Sequence, residues 1–201
     1  MFLLAKIVRC RRAFSTVAAL LLISAAQVSF AQGSVEGALE SLKQGGHVLL
    51  IRHAKTDAGQ GDDPEGFKLG DCATQRNLNA EGKADAEQFG KKLAALGIKI
   101  DQVLSSEWCR AMDTAKLAFG KAEAWPVLNS LRSTSDEKID LTGQLRRRIR
   151  DFKGPGNLAI VSHGYNIQYL TGENIQQGDI LVMHPSGGGF RLMGLLNMSS
   201  F

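Results

Sequence analysis

Val48-Leu49-Leu50-Ile51-Arg52-His53-Ala54 is the stretch on which the reading of this 201-residue chain turns. An unbroken apolar run of this length is the pattern of a strand covered on both faces, and open α/β sheets gather ligands at the carboxyl ends of such strands. The run stops at a guanidinium, a rigid fork of donors for an oxyanion, and then an imidazole that is partly neutral near pH 7. Alone the pair carries little information; its weight comes from repetition further along.

A second apolar run, Leu158-Ala159-Ile160-Val161-Ser162, delivers His163-Gly164 in the same way. A third, Gln102-Val103-Leu104-Ser105-Ser106, leads through Glu107-Trp108-Cys109 to Arg110 at the head of a helical pattern closed by Gly120. Helical spacing also predicts a leading helix over residues 34–43, stopped by Gly45-Gly46. Another is capped by Asn79 and carries Ala86, Phe89 and Leu93 to Gly97. A third covers residues 139–152 through Leu141, Leu145 and Ile149, and a short one follows His163 to about Leu170. Pro126-Val127-Leu128 reads as a brief extended piece. Residues 180–183 and 190–196 read as a hairpin about a glycine-rich turn at 186–189. Strands alternating with helices predict a three-layer α/β/α sandwich with a mainly parallel sheet and an antiparallel edge hairpin. There is no internal repeat and no sign of a second folded domain.

Residues 1–31 are expected to be a secretory signal peptide. They hold four basic residues, Lys6, Arg9, Arg11 and Arg12, then an apolar run over 13–28, then Ser29-Phe30-Ala31 with small residues where a signal peptidase reads. An uncleaved membrane anchor is the alternative. The folded domain then spans residues 32–201 and is placed in the periplasm or outside the cell. The whole chain has 24 basic and 20 acidic residues, so residues 32–201 have 20 of each and no net charge. The apparent basicity belongs to the leader and gives no support for nucleic-acid binding. Arg146-Arg147-Arg148 with Arg150 is expected to be a solvated helix face. Cys10 lies in the leader, leaving Cys72 and Cys109, an even pair that in an exported protein is expected to form a disulfide. A zinc site sharing these cysteines with two histidines is the alternative, without the close-spaced pair such sites use.

If the strands run parallel, Arg52-His53, Ser105-Ser106 with Arg110, and His163 open onto one sheet edge and describe a site for a phosphate-sized dianion. None of these residues is a carboxylate, as suits a site whose ligand brings the negative charge. The polar segment 55–76 is long enough to be a functional loop, and it starts at this site.

These motifs, Leu50-Ile51-Arg52-His53-Ala54, Ser105-Ser106-Glu107-Trp108-Cys109-Arg110-Ala111 with Thr114-Ala115, and Val161-Ser162-His163-Gly164, resemble the histidine phosphatase (phosphoglycerate-mutase-like) superfamily, in the family's order. The resemblance implies that His53 attacks phosphorus and carries a transient phosphoryl group, while Arg52, Arg110 and His163 bind the phosphoryl oxygens. It implies a phosphoric monoester hydrolase without metal or cofactor, acting on a small-molecule or glycan phosphate ester. Ala54 replaces the glycine of many members. Gly164 excludes the aspartate that other members place after the second histidine, so the leaving-group acid is expected at Glu137, with Asp136 beside it and Glu107 and Asp57 further out. Thr56 and Arg76 are further candidates for substrate contact; Trp108, His47 and His184 are expected to be structural. The cysteine pair and Thr171-Gly172-Glu173 resemble exported members acting on lipopolysaccharide core heptose phosphate. Two rivals stay open: a non-catalytic phosphate-binding module of the same fold, and a short phosphohistidine-protein phosphatase.

Overall fold

The apolar run forms strand β1 (Val48–Arg52), and its side chains serve two cores. Leu49 and Ile51 point into one, Val48 and Leu50 into the other, and all four are fully buried. Each such side chain contributes about 1.5–3 kcal/mol of burial free energy, which is why the strand has no polar face. The computed structural model describes residues 33–57, 63–130 and 135–200. The expected leader at 1–31 lies outside the described residues.

The remaining elements are α1 (Val35–Gln44), α2 (Ala80–Ala95), β2 (Ile100–Ser105), α3 (Cys109–Phe119), β3 (Glu123–Ala124), α4 (Ser135–Arg150), β4 (Asn157–Ser162), α5 (Gly164–Thr171), β5 (Asp179–Ser186) and β6 (Gly189–Asn197). The sheet order is β3-β2-β4-β1-β5-β6. Strands β1 to β4 pair in parallel; β5 runs antiparallel to both β1 and β6. Helices α1, α2 and α3 fill the core on the Leu49 face through Leu42, Phe89 and Ala115, and α4 and α5 fill the other through Leu145, Ile149 and Ile167. The three layers, the parallel centre and the terminal hairpin are those expected.

Local chemistry sets the helix ends. Ser34 Oγ accepts from Gly37 N at 3.1 Å and Asn79 Oδ1 from Gly82 N at 2.7 Å, giving α1 and α2 their caps. Gly82 has a second reason to be glycine: a Cβ there would lie 2.2 Å from the Lys55 carbonyl oxygen, so any side chain would push α2 off the segment after β1.

Two expectations need correction. Residues 126–128 form a single 3₁₀ turn, not an extended piece; proline with fixed φ suits its first position, and the extended residues lie just upstream in β3. Helix α4 starts at Ser135, before Ile139, because its first turn is polar and acidic; Asp136 and Glu137 suit the positive end of the helix dipole. Arg146, Arg147 and Arg150 form the exposed face expected, and two of the cluster also hold α4 to its neighbours: Arg146 donates to Leu170 O at 2.9 Å and stacks 5.3 Å from the Phe190 ring centroid, and half-buried Arg148 donates to Gln102 Oε1.

Register places the site. Arg52 pairs with Ser162, and Ser105 with Val161, so three strand ends stop level with one another. The ladder runs one residue further on each side: His53 N donates to Ser162 O at 3.0 Å, and Ser106 N to Val161 O at 3.0 Å. His53, Ser106 and His163 are thereby neighbours, although 110 residues separate the two histidines.

Candidate active site

At the end of β1, His53 is 2% exposed and its Nδ1 lies 2.9 Å from Ala54 O. A carbonyl oxygen only accepts, so Nδ1 carries the hydrogen and Nε2 keeps its lone pair. Burial first, then repulsion from Arg110, Arg52 and Arg76, outweighs the pull of the Ala54 carbonyl and lowers the imidazole pKa to about 3. The ring is therefore a neutral base and nucleophile at physiological pH. Arg52 is half-buried; its Nη1 donates to Ile175 O at 2.5 Å, while its buried Nε has no hydrogen-bond partner among the described residues. A Cβ on Gly164 would stand 3.2 Å from Arg52 Cζ, so glycine after the second histidine makes room for this guanidinium.

At the end of β4, His163 is 3% exposed and begins α5. Its ring centroid lies 5.5 Å from that of His53, and its Nε2 lies 2.8 Å from Ser106 Oγ. Ser106 Oγ also donates to Asn129 Oδ1 at 3.2 Å and accepts from Trp108 N at 3.2 Å.

At the end of β2, α3 opens with Cys109 and Arg110. Gln75, buried, reaches across to cap the helix: its Oε1 accepts from Cys109 N at 2.9 Å. A disulfide joins Cys72 and Cys109 with an S–S distance of 2.01 Å, so both sulfurs are occupied and the zinc alternative lapses. Arg110 Nη1 donates to Asp63 Oδ1 at 2.7 Å in a buried ion pair. Arg76 joins the cluster from the loop: its Nη1 donates to Thr56 Oγ1 at 2.6 Å, and its Nε is buried without a hydrogen-bond partner among the described residues.

These groups line one open cavity of about 610 Å³. Arg52, His53, Arg76, Arg110 and His163 form its floor; Ser130, Tyr165, Gln168, Asn174 and Gln177 add to its wall. Buried guanidinium hydrogens facing a polar hollow call for an anion. The arrangement can hold a tetrahedral oxyanion against three guanidinium groups with an unprotonated imidazole beside it.

Five of the expected site residues thus meet, and two stand elsewhere. Thr56 does not line the cavity; it is buried behind it, holding Arg76 through Oγ1 and Gln177 through its backbone N–H. Glu137, in the first turn of α4, is exposed and does not line the cavity. Glu107 accepts from Asn129 Nδ2 at 2.7 Å, and Asp57 is exposed. His47 and Trp108 are buried. Trp108 packs edge-on to His163 at 5.4 Å and donates Nε1 to Asp63 at 3.0 Å.

Asp63, outside the motifs, is the carboxylate that holds Arg110, and sequence alone did not distinguish it from the other aspartates of its loop. Ser106 was placed at the site edge without a role for its hydroxyl, and Asn129 was missed, because their importance lies in distances between separate strand ends.

Residues 48–133 match the family model of the histidine phosphatase superfamily, branch 1. The chain is 32% identical over 81 residues to the mitochondrial serine/threonine-protein phosphatase Pgam5 of Drosophila persimilis, and 34% identical over 75 residues to that of Drosophila melanogaster. These stretches cover 40% and 37% of this chain and 25% and 22% of the relatives, so the chain spans about a quarter of the curated proteins it matches. In fold it is similar to the protein histidine phosphatase SixA complexed with tungstate, with TM-score 0.54 and 16% identity over 77% of this chain and 98% of that one. It is also similar to Rv3214 of Mycobacterium tuberculosis, with TM-score 0.58 and 17% identity over 76% of this chain and 98% of that one.

Proposed function

We propose that this chain, whose residues 48–133 match the family model of the histidine phosphatase superfamily, is a phosphoric monoester hydrolase working through a phosphohistidine on His53. The observation that carries this is the His53 Nδ1 contact with the Ala54 carbonyl, which leaves Nε2 unprotonated in a cavity floored by guanidinium groups. The Nε2 lone pair attacks phosphorus, the bond from phosphorus to the ester oxygen breaks, and that oxygen leaves with the bonding electrons and takes its proton from solvent water. Water then attacks the phosphohistidine, releasing inorganic phosphate and restoring the neutral ring. Arg52, Arg76 and Arg110, with His163 as a donor, take the charge on the non-bridging oxygens. Three guanidinium charges less the one carboxylate of Asp63 leave two positive charges, matching a phosphate monoester dianion.

The substrate class is a small phosphate ester, such as a phosphosugar or the phosphate of a glycan; the openness of the site to Tyr165 and Gln168 on α5 supports a leaving group of some size. Export is part of the proposal, supported by the basic and apolar pattern of residues 1–31 and by the Cys72–Cys109 disulfide.

Rapid mixing with p-nitrophenyl phosphate tests the reading. The expected result is a burst, with an alkali-stable and acid-labile phosphoprotein that disappears in His53→Ala along with turnover. Turnover that survives His53→Ala sinks the mechanism. Phosphate binding without turnover or phosphoprotein in the wild type marks a binding module instead.

A further inference from the structure

Asp63 stands behind the cationic floor and not in it. Its side chain has no exposed surface, while Arg110, its partner, is 3% exposed at the side chain. Oδ1 accepts from Arg110 Nη1 at 2.7 Å and from the backbone N–H of Arg76 at 3.0 Å; Oδ2 accepts from the Trp108 indole at 3.0 Å. One carboxylate therefore ties together the first turn of α3, the residue before that helix, and the loop that carries Arg76. Arg110 Nη1 is further placed by Arg76 O at 3.4 Å. Burial works against the ionised form, but the bonds from Arg110, Arg76 and Trp108 outweigh it and keep the carboxyl below its usual range.

We propose that Asp63 is a positioning residue, whose carboxylate fixes the direction in which Arg110 presents its guanidinium group to the substrate phosphoryl group. This rests on the phosphatase reading of the cavity, and it adds a part to the site that the sequence motifs do not contain. An arginine side chain has several rotatable bonds and loses rotamer freedom when it binds an anion. A buried charged acceptor on one nitrogen removes that freedom before the ligand arrives. Moving Arg110 by an ångström would weaken every step in which it meets a phosphoryl oxygen. An aspartate that merely filled space would lack this connection to one particular cation.

The test measures inorganic phosphate affinity by calorimetry beside kcat/KM for p-nitrophenyl phosphate. Asp63→Asn is expected to lower both by roughly 10- to 100-fold, the range for the loss of an outer partner that orients a ligand-binding group. In an Arg110→Gln background the same change is expected to do little, less than about threefold, because the group it positions is gone. Asp63→Glu keeps the ion pair but advances the carboxylate by one methylene, and is expected to cost about three- to tenfold in phosphate affinity. It decides the matter even where Asp63→Asn does not fold. The proposal is overturned by phosphate affinity unchanged in Asp63→Glu, or by the full Asp63→Asn loss persisting without Arg110. Phosphate binding needs no turnover, so a wild type that binds phosphate but hydrolyses nothing defeats the enzymatic reading and leaves this test legible.

Discussion

Ser106 Oγ lies 2.8 Å from His163 Nε2 while directing its single hydrogen to Asn129 Oδ1 at 3.2 Å. A hydroxyl has one hydrogen, so toward His163 it acts as acceptor, and His163 Nε2 must carry a proton. Asn129 thus sets the tautomer of an imidazole it does not touch. Ser106→Ala would take this acceptor from the His163 N–H and from the Trp108 backbone N–H. Leaving a buried donor unpaired costs about 1–3 kcal/mol, so the expected drop in kcat/KM is roughly 5- to 150-fold, with a comparable fall in folding stability. Steady-state kinetics and urea unfolding on the same preparation check both. Activity within twofold of wild type would show that the tautomer is set some other way.

The layers, the parallel centre and four cavity residues were legible in the sequence because their signals are local: an apolar run that can only be buried, then a charged or titratable residue where the run ends. Arg76 was legible only as a candidate, since nothing in Gln75-Arg76-Asn77 tells a loop arginine that folds inward from one that stays in water. Asp63 was illegible for the same reason. Its burial depends on three donors, Arg76 of the same loop and Arg110 and Trp108 from a segment distant in sequence. The polar first turn of α4 escaped apolar spacing because helix starts are marked by charge and capping rather than by hydrophobic period.

His53 should make the fold sensitive to mild acid. Its pKa falls from 6.5 to about 3 on folding, so below pH 6.5 the unfolded chain takes up a proton that the folded site refuses. The contribution is whole above that pH and is lost progressively as pH drops toward 3, with a limiting slope of about 1.4 kcal/mol per pH unit. Burial is the main cause, so salt should change the effect little. Unfolding free energies at pH 7 and 4.5 for wild type and His53→Gln isolate this group from the carboxylates. The wild type is expected to lose about 2–3 kcal/mol more than the variant across that interval. Equal losses would mean that the imidazole is not held neutral.

The Cys72–Cys109 disulfide closes a loop with a sequence separation of 37, and the chain-entropy estimate for such a loop is roughly 4 kcal/mol. Measured values commonly fall below such estimates, so reduction, or the paired change Cys72→Ala with Cys109→Ala, is expected to lower unfolding free energy by about 2–4 kcal/mol. Activity at room temperature should stay within about threefold, because Gln75 still caps α3 and Asp63 still holds Arg110 when the sulfurs part. Urea titrations with and without reductant, with turnover read on the same samples, separate the two effects. A collapse of activity before any loss of structure would show that the bridge itself holds the arginine.

Glu137 bears on which esters the site can open. No carboxylate lines the cavity among the described residues, and Glu137 is exposed in the first turn of α4. With no carboxyl acid among the described lining residues, the departing oxygen is expected to carry more charge at the transition state, so the rate should follow the acidity of the leaving group. General acids typically contribute about 10²–10⁴-fold, and that factor is the expected handicap of alkyl over aryl phosphates beyond their binding difference. Glu137→Gln and Asp136→Asn are expected to change kcat/KM by less than about twofold for either ester, as surface substitutions away from the reacting atoms do. A loss confined to the alkyl ester in Glu137→Gln would carry the opposite meaning. It would show the start of α4 reaching the bound substrate and giving the leaving oxygen its proton, the role the family resemblance assigns to this glutamate.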